Sequence, residues 1–94
     1  MNQPSGEKFV AQNALMNSRR FELEMRVSQL RSECDALAAS YAKAAVLVER
    51  VRTIGSDEDR EKAGRRAEKA RKLLSRCEAQ LSIAQGQLSA LGLR

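Results

Sequence analysis

Histidine is absent from the sequence, which removes the commonest general base of enzymes and the commonest protein ligand of metal ions. The chain also has no glycine-rich phosphate loop and no GxSxG segment that would present a nucleophilic serine. Its two cysteines stand 43 residues apart, which does not match the four suitably spaced ligands of a zinc site. These absences predict a protein that is not an enzyme and that uses no metal, cofactor or small-molecule substrate.

Proline and aromatic residues are scarce in this chain. Pro4 is the single proline, tryptophan is absent, and aromatic residues make up 3% of the sequence. Sheet proteins rely on β-branched and aromatic residues, whereas alanine, leucine, glutamate, lysine and arginine dominate here. The composition predicts long helices or a coiled coil, and 94 residues are enough for one domain.

Long apolar runs are missing as well. No stretch approaches the roughly 18 apolar residues that a membrane-spanning helix needs. The amino-terminal segment MNQPSGEKF has neither the apolar core nor the small-residue cleavage site of a secretory signal. We therefore expect no membrane insertion and a cytoplasmic location, although a secretion system could still accept such a chain without a cleaved signal.

A seven-residue repeat runs along the first half of the chain. Its members are separated alternately by four and three residues, which places them on one side of an α-helix. They are Phe9, Asn13, Met16, Arg20, Leu23, Val27, Leu30, Cys34, Leu37, Tyr41, Ala44, Val48 and Val51. Because nearly all are apolar, the repeat predicts a first helix over about residues 6–53.

A second repeat with the same spacing consists of Ala63, Ala67, Ala70, Leu74, Cys77, Leu81, Ala84, Leu88 and Leu91. If the chain folds back at Gly55 and Ser56, the two repeats face each other in layers whose residue numbers add to 111. The predicted fold is all-α, an antiparallel two-helix coiled-coil hairpin formed by the whole chain, with a turn at about 54–56 and helix 2 over about 57–91. Two such hairpins could dimerise into a four-helix bundle.

Two further features of this hairpin are expected. Arg31 and Glu78 flank the apolar layers and could form an ion pair between the helices, worth about 0–1 kcal/mol at an exposed site. Gly92 could adopt the left-handed conformation that ends many helices, with Leu93 supplying the apolar contact that follows. By the same register, the residues before Asn17 have no partner within the chain.

The unpartnered start of helix 1 is rich in apolar residues, and some apolar residues farther along face away from the second helix. The predicted protein-binding residues are Phe9, Val10, Met16, Phe21 and Met25, and Ala39, Ala42 and Val46 continue this outer face toward the turn. A frayed helix end is the alternative. We favour docking to another protein or to a second copy in a homodimer, because frayed ends are usually poorer in apolar residues.

A row of basic residues follows the outward side of the predicted second helix. The row consists of Lys62, Arg65, Lys69, Lys72 and Arg76 and is about 21 Å long at 1.5 Å per residue. Together with the net charge of +5, it could contact phosphates or an acidic partner, which makes structured nucleic acid a possible ligand. The alternative is a solvated coiled-coil surface, and no interleaved aromatic residue is present for base stacking.

Three acidic residues, Asp57, Glu58 and Asp59, stand at the predicted turn. Ser56 is a favoured residue before the first helical turn, and Asp59 three residues later completes a variant of the capping box. Negative charge in this first turn also complements the helix dipole. In shape, the acidic tip resembles hairpin factors that enter the secondary channel of RNA polymerase, although the additional globular or zinc-bearing module of those factors has no counterpart here.

Cys34 and Cys77 fall in the same predicted layer, which makes a disulfide possible. Reduced thiols are the favoured alternative, because a cytosolic protein normally keeps its cysteines reduced and uses them as small core residues.

Taken together, these patterns favour a non-enzymatic protein-interaction hairpin that acts as a small adaptor, co-chaperone or assembly factor. Small helical-hairpin co-chaperones of bacterial secretion apparatus offer an analogy for such a role. The alternatives are a basic hairpin dimer that binds structured nucleic acid and a regulator of RNA polymerase that acts through its acidic tip.

Overall fold

A computed structural model of the chain describes the backbone of residues 4–92 and the side chains of residues 14–92. Helix α1 extends from Pro4 to Ile54 and helix α2 from Asp57 to Gly92, with Gly55 and Ser56 between them. The two helices pack against each other in an elongated shape of 83 × 17 × 14 Å. This confirms the predicted all-α hairpin, although α1 begins two residues earlier than the repeat indicates.

The hairpin core is the line of contact formed by the two seven-residue repeats, called here the seam. Leu30, at 1% exposure, is its most buried side chain. Around it pack Val27, Cys34, Cys77 and Ala84, with Leu37, Leu74, Leu81 and Leu88 partly buried against this cluster. All of these residues are members of the repeats, so the periodic pattern identified the buried side of each helix.

The register of the two helices is visible at the cysteine layer. The Sγ atoms of Cys34 and Cys77 lie 2.9 Å apart, and Cys77 also reaches the carbonyl oxygen of Leu30. These residues belong to the layer in which the sequence places them opposite each other. The sulfur contact therefore confirms the predicted register at this layer.

No ion pair joins the two helices among residues 14–92. Every ion pair that the structure shows among residues 14–92 lies within one helix, three or four residues apart. The predicted pair between Arg31 and Glu78 is therefore wrong. Both side chains are exposed, and an exposed ion pair gains too little free energy to hold two long side chains against hydration.

The turn between the helices is closed by short-range hydrogen bonds. The Gly55 amide donates to the carbonyl oxygen of Val51 at 2.9 Å, which completes the last turn of α1. At the start of α2, the Asp59 amide donates to Ser56 Oγ at 3.2 Å, and the Ser56 amide donates to Asp59 Oδ2 at 3.3 Å. This reciprocal pair is the capping box that the sequence predicts, and it satisfies amide groups that a helix start leaves without partners.

The end of α2 differs from the expectation. Gly92 is its last helical residue, and none of the described glycines has a positive φ. Glycine permits the left-handed conformation but does not impose it, so the backbone continues as a helix to this residue. The predicted contact of Leu93 lies outside the described residues.

The two helices have unequal lengths. Helix α1 has 51 residues and α2 has 36, so the amino-terminal part of α1 extends beyond the end of its partner. Met16 and Arg20 are accordingly exposed, although both belong to the repeat. Within the described part of the chain, neither helix is long and apolar enough to cross a membrane.

Candidate functional site

A second line of residues runs along α1 on the side away from α2. All of its members are exposed, and we call it the outer stripe; it consists of Ser18, Phe21, Met25, Ser28, Ser32, Asp35, Ala39, Ala42, Val46 and Glu49. Its spacing again alternates between three and four residues, which keeps the members on one face of the helix. The outer stripe therefore has the spacing of a coiled-coil seam but no partner among residues 14–92.

Large apolar side chains occupy both ends of the outer stripe. Phe21 is 64% exposed, Met25 49% and Val46 59%. No lysine or arginine is a member of the stripe, in a chain with 17 basic residues. Single apolar residues at a surface are ordinary, but several in phase on a face without basic residues are typical of a binding surface.

Three of the five predicted protein-binding residues have side chains that the structure describes: Met16, Phe21 and Met25. Met16, at 40% exposure, lies with the 70% exposed Leu15 on the part of α1 beyond α2. Phe21 and Met25 belong to the outer stripe. Phe9 and Val10 lie in the helical backbone of α1, but their side chains are outside the described residues.

Some exposed apolar residues were not singled out from the sequence. Ile54 precedes the turn and is 80% exposed, and Ile83 and Leu73 on α2 are 63% and 41% exposed. None of the three is a member of the seven-residue repeat of its own helix, so their exposure could have been predicted from the repeat. They are isolated from one another and do not form a stripe.

The basic row on α2 is exposed but partly neutralised. Lys62 Nζ lies 3.2 Å from Glu58, and Arg65 lies 3.9 Å from Glu61. The remaining members, Lys69, Lys72 and Arg76, have no ion pair among residues 14–92. The row therefore offers fewer unneutralised charges to a phosphate ligand than its sequence suggests.

A shallow surface depression of about 450 Å³ surrounds Leu73 on α2 and is lined by Arg65, Glu68, Lys69, Lys72 and Arg76. Glu68 receives two hydrogen bonds from Arg71, at 3.0 Å from Nε and 2.6 Å from Nη2. The hydrogen bonds to Arg71 are the main cause that lowers the pKa of Glu68. Because the carboxylate is held by Arg71, it stabilises the helix surface rather than a ligand.

The acidic tip is accounted for by contacts within α2. Asp57 pairs with Arg60 at 2.7 Å, Glu58 pairs with Lys62, and Asp59 forms the capping box with Ser56. Each carboxylate thus has a structural role at the helix start, where negative charge also meets the helix dipole. The structure gives these residues a local function that needs no partner.

The thiol pair is the most buried polar feature of the described hairpin. Both cysteines are free; the Cys34 thiol donates to Cys77 Sγ, and the Cys77 thiol lies 3.6 Å from the carbonyl oxygen of Leu30. The hydrogen bond to Cys77 is the largest cause that raises the pKa of Cys34 from 9.0 to about 11. Burial and then electrostatic interactions with Cys77, Glu78 and Asp35 act in the same direction. Cys34 is therefore a protonated, weakly nucleophilic thiol at neutral pH.

No cluster of three or more acidic or cysteine side chains suited to a metal ion occurs in the described part of the chain. No protein-family model, no curated protein and no solved structure matches this chain. The features that indicate a function are therefore the surfaces of the hairpin, and the outer stripe extends over residues 18–49 of α1.

Proposed function

We propose that this chain is a non-enzymatic protein-binding hairpin that acts as a small adaptor, co-chaperone or assembly factor. The observation that carries the proposal is the exposure of Phe21 and Met25 on the face of α1 opposite α2. Covering such side chains removes apolar surface from water, at about 25 cal/mol per Å². The partner is another protein or a second copy of the chain, and an amphipathic helix is the element that best fits a helical stripe.

The anchors of this proposal are five apolar residues in the amino-terminal half of α1. They are Phe9, Val10, Met16, Phe21 and Met25. Aromatic and methionine side chains are enriched at protein interfaces because they combine large area with adaptable packing. We place this function in the cytoplasm, where the buried thiols of Cys34 and Cys77 would remain reduced.

The basic row supports the alternative of a nucleic-acid ligand. Lys69, Lys72 and Arg76 lie together around the depression at Leu73. Since Lys62 and Arg65 are already paired with glutamates, a phosphate ligand would have to displace these contacts. A regulator of RNA polymerase that uses the acidic tip has still less support, because Asp57, Glu58 and Asp59 already serve the helix start.

A pull-down from the source cells tests the leading proposal with the double variant Phe21→Glu and Met25→Glu. We expect the variant to lose the specific partners of the wild type, because an interface that buries these positions would have to desolvate two carboxylates. The matched control is Ala79→Glu with Ile83→Glu, which introduces the same charges four residues apart on the exposed face of α2. An unchanged set of partners for the α1 variant would contradict the assigned anchors.

A further inference from the structure

We propose that a second copy of this chain binds antiparallel along the outer stripe of α1, with Phe21 of each copy against Val46 of the other. The inference rests on the proposed function and names one partner of the same surface. It commits to a two-fold symmetric contact, in which the same residues serve both copies.

The outer stripe and the seam lie on nearly opposite sides of α1. Successive residues of an α-helix are rotated by about 100°, which places the two lines of side chains about 150° apart around the helix axis. Helix α2 covers the seam and leaves the outer stripe exposed along its whole length. Helix α1 thus has two faces with coiled-coil spacing, of which one is occupied.

The two halves of the outer stripe are complementary in size. The amino-terminal half carries Phe21 and Met25, whereas the carboxyl-terminal half carries Ala39, Ala42 and Val46. An antiparallel copy centred between residues 33 and 34 brings these halves together. Its layers are Ser18 with Glu49, Phe21 with Val46, Met25 with Ala42, Ser28 with Ala39, and Ser32 with Asp35, each occurring twice.

Two competing arrangements, a shifted antiparallel copy and a parallel copy, place carboxylates against apolar side chains or against each other. Sliding the antiparallel copy by seven residues sets Met25 against Asp35 in one direction and against Glu49 in the other. A parallel copy in register stacks Asp35 on its own equivalent and Glu49 likewise. Burying a carboxylate against an apolar side chain or a like charge is unfavourable. The centred antiparallel register instead sets Asp35 against Ser32 and Glu49 against Ser18, whose hydroxyls can donate to the carboxylates, so it is the register that the outer stripe favours.

The charges beside the outer stripe fit the same register. In an antiparallel pair, Glu22 of one copy lies opposite Lys43 of the other, and the symmetry produces this contact twice. On the other flank, Glu24 lies opposite Ala45 and Arg31 opposite Ala38, so like charges are not juxtaposed. Neither Glu22 nor Lys43 forms an ion pair within its own chain among residues 14–92. Both remain available for this contact.

The resulting dimer would be a flat layer of four helices. The two α1 helices lie in the middle and each α2 lies on the outside, because the seam and the outer stripe are nearly opposite. Since the contact is centred between residues 33 and 34, the copies overlap almost fully and span about 90 Å at 1.5 Å per residue. This length is close to the 83 Å of one hairpin, so dimerisation would double the mass with little change in length.

Charge reversal in the full-length chain tests the register directly. Glu22→Lys places two lysine pairs in the dimer, and Lys43→Glu places two glutamate pairs there. We expect each variant to dimerise roughly 5- to 30-fold more weakly than the wild type, which should sediment at twice 10.4 kDa. An equimolar mixture of the two variants restores opposite charges at both contacts, so sedimentation equilibrium should show recovered dimer.

Glu24→Lys is the matched control, because this residue lies two positions away and opposite an alanine. It should change dimerisation much less than Glu22→Lys, and its mixture with Lys43→Glu should not recover the wild-type affinity. Circular dichroism of each variant reports whether the hairpin itself remains folded. Small-angle scattering of the wild-type dimer should give a maximum dimension near 90 Å rather than one approaching twice 83 Å.

Two outcomes would overturn the inference. If the mixture of charge-reversed variants is no tighter than either variant alone, the proposed register is wrong. If the wild type remains at 10.4 kDa up to its solubility limit, self-association is wrong. In that second case, loss of cellular partners by the Phe21 and Met25 variant would still support the proposed function. If the charge-reversed mixture recovers the dimer but the Phe21 and Met25 variant keeps its cellular partners, self-association is supported and the proposed cellular function of these anchors is not.

Discussion

Gly55 shows how one residue decides whether the chain can turn. Among the described glycines, it is the one at which an added Cβ would meet other atoms, 2.7 Å from the carbonyl oxygen of Val51 and 2.8 Å from its Cβ. Its φ is not positive, so the requirement comes from close approach rather than from a left-handed backbone. The turn is compact because this position has no side chain.

Gly55→Ala is expected to destabilise the hairpin by roughly 1–3 kcal/mol, because the added methyl group must displace the last turn of α1. Chemical denaturation followed by circular dichroism measures the difference. Gly64→Ala is the matched control: a Cβ there meets nothing within 4 Å, and alanine is the better helix former by about 0.5–1 kcal/mol. Equal effects of the two substitutions would show that space at the turn is not the controlling factor.

Helix α2 depends on contacts at its start as well as on its apolar side. The described part of its seam includes several alanines, which bury less area than leucines. The side chains of its first turn are exposed. The capping box and the pairs of Asp57 and Glu58 therefore hold the end of the helix that must form against α1. These contacts define where α2 begins.

Ser56→Ala is expected to cost about 0.5–2 kcal/mol of hairpin stability, since it removes the hydroxyl that accepts from the Asp59 amide. The loss should appear in thermal or chemical unfolding. Ser82→Ala, at an exposed interior position of α2, should be neutral or slightly stabilising because alanine is the better helix former. A comparable loss in both variants would argue against the capping role.

The whole hairpin is held by one narrow apolar seam, at whose centre the thiols of Cys34 and Cys77 connect the two helices. Among the described residues no polar or charged residue is buried, so no internal polar network competes with this contact. A covalent bond at this layer would close a loop that contains the whole turn. The oxidation state of the pair is thus a property of the entire molecule.

We expect the protein to be purified with both thiols reduced and to form a disulfide slowly with oxidised glutathione. Two protein thiols would give one disulfide and two molecules of reduced glutathione, with a protein mass lower by two hydrogen atoms. Because the raised pKa leaves little Cys34 thiolate at neutral pH, the rate should increase as the pH is raised toward about 11.

The oxidised hairpin should unfold at a higher temperature than the reduced one, since the bond restricts the unfolded chain. Cys34→Ser provides the control that cannot form this bond. A rate that already levels off near pH 9.0 would contradict the raised pKa of Cys34. Mixed disulfides with glutathione as the sole product would contradict the close approach of the two sulfur atoms.

Much of the fold could be predicted because a coiled-coil hairpin requires apolar residues at regular spacings of three and four residues, and this pattern is visible in the sequence. The spacing of the repeats determined which side of each helix is buried, and the shared register determined that Cys34 faces Cys77. Ser56 and Asp59 indicated the start of α2 through a motif only four residues long. Such features need only neighbouring residues or a regular repeat, and both are visible in a sequence.

Other features required the structure, because they result from competition between alternative side-chain and backbone contacts. The pairing of glutamates with Lys62 and Arg65, the unpaired Arg31 and the helical Gly92 are outcomes of side-chain and backbone choices that the repeat does not specify. The exposure of Phe21 and Met25, by contrast, follows from the repeat, because both residues lie outside it. The sequence by itself determined the hairpin and its register, since these follow from periodic burial. Only the tertiary structure decided which charged side chains pair with one another and how the backbone of α2 ends, because the repeat does not specify these contacts.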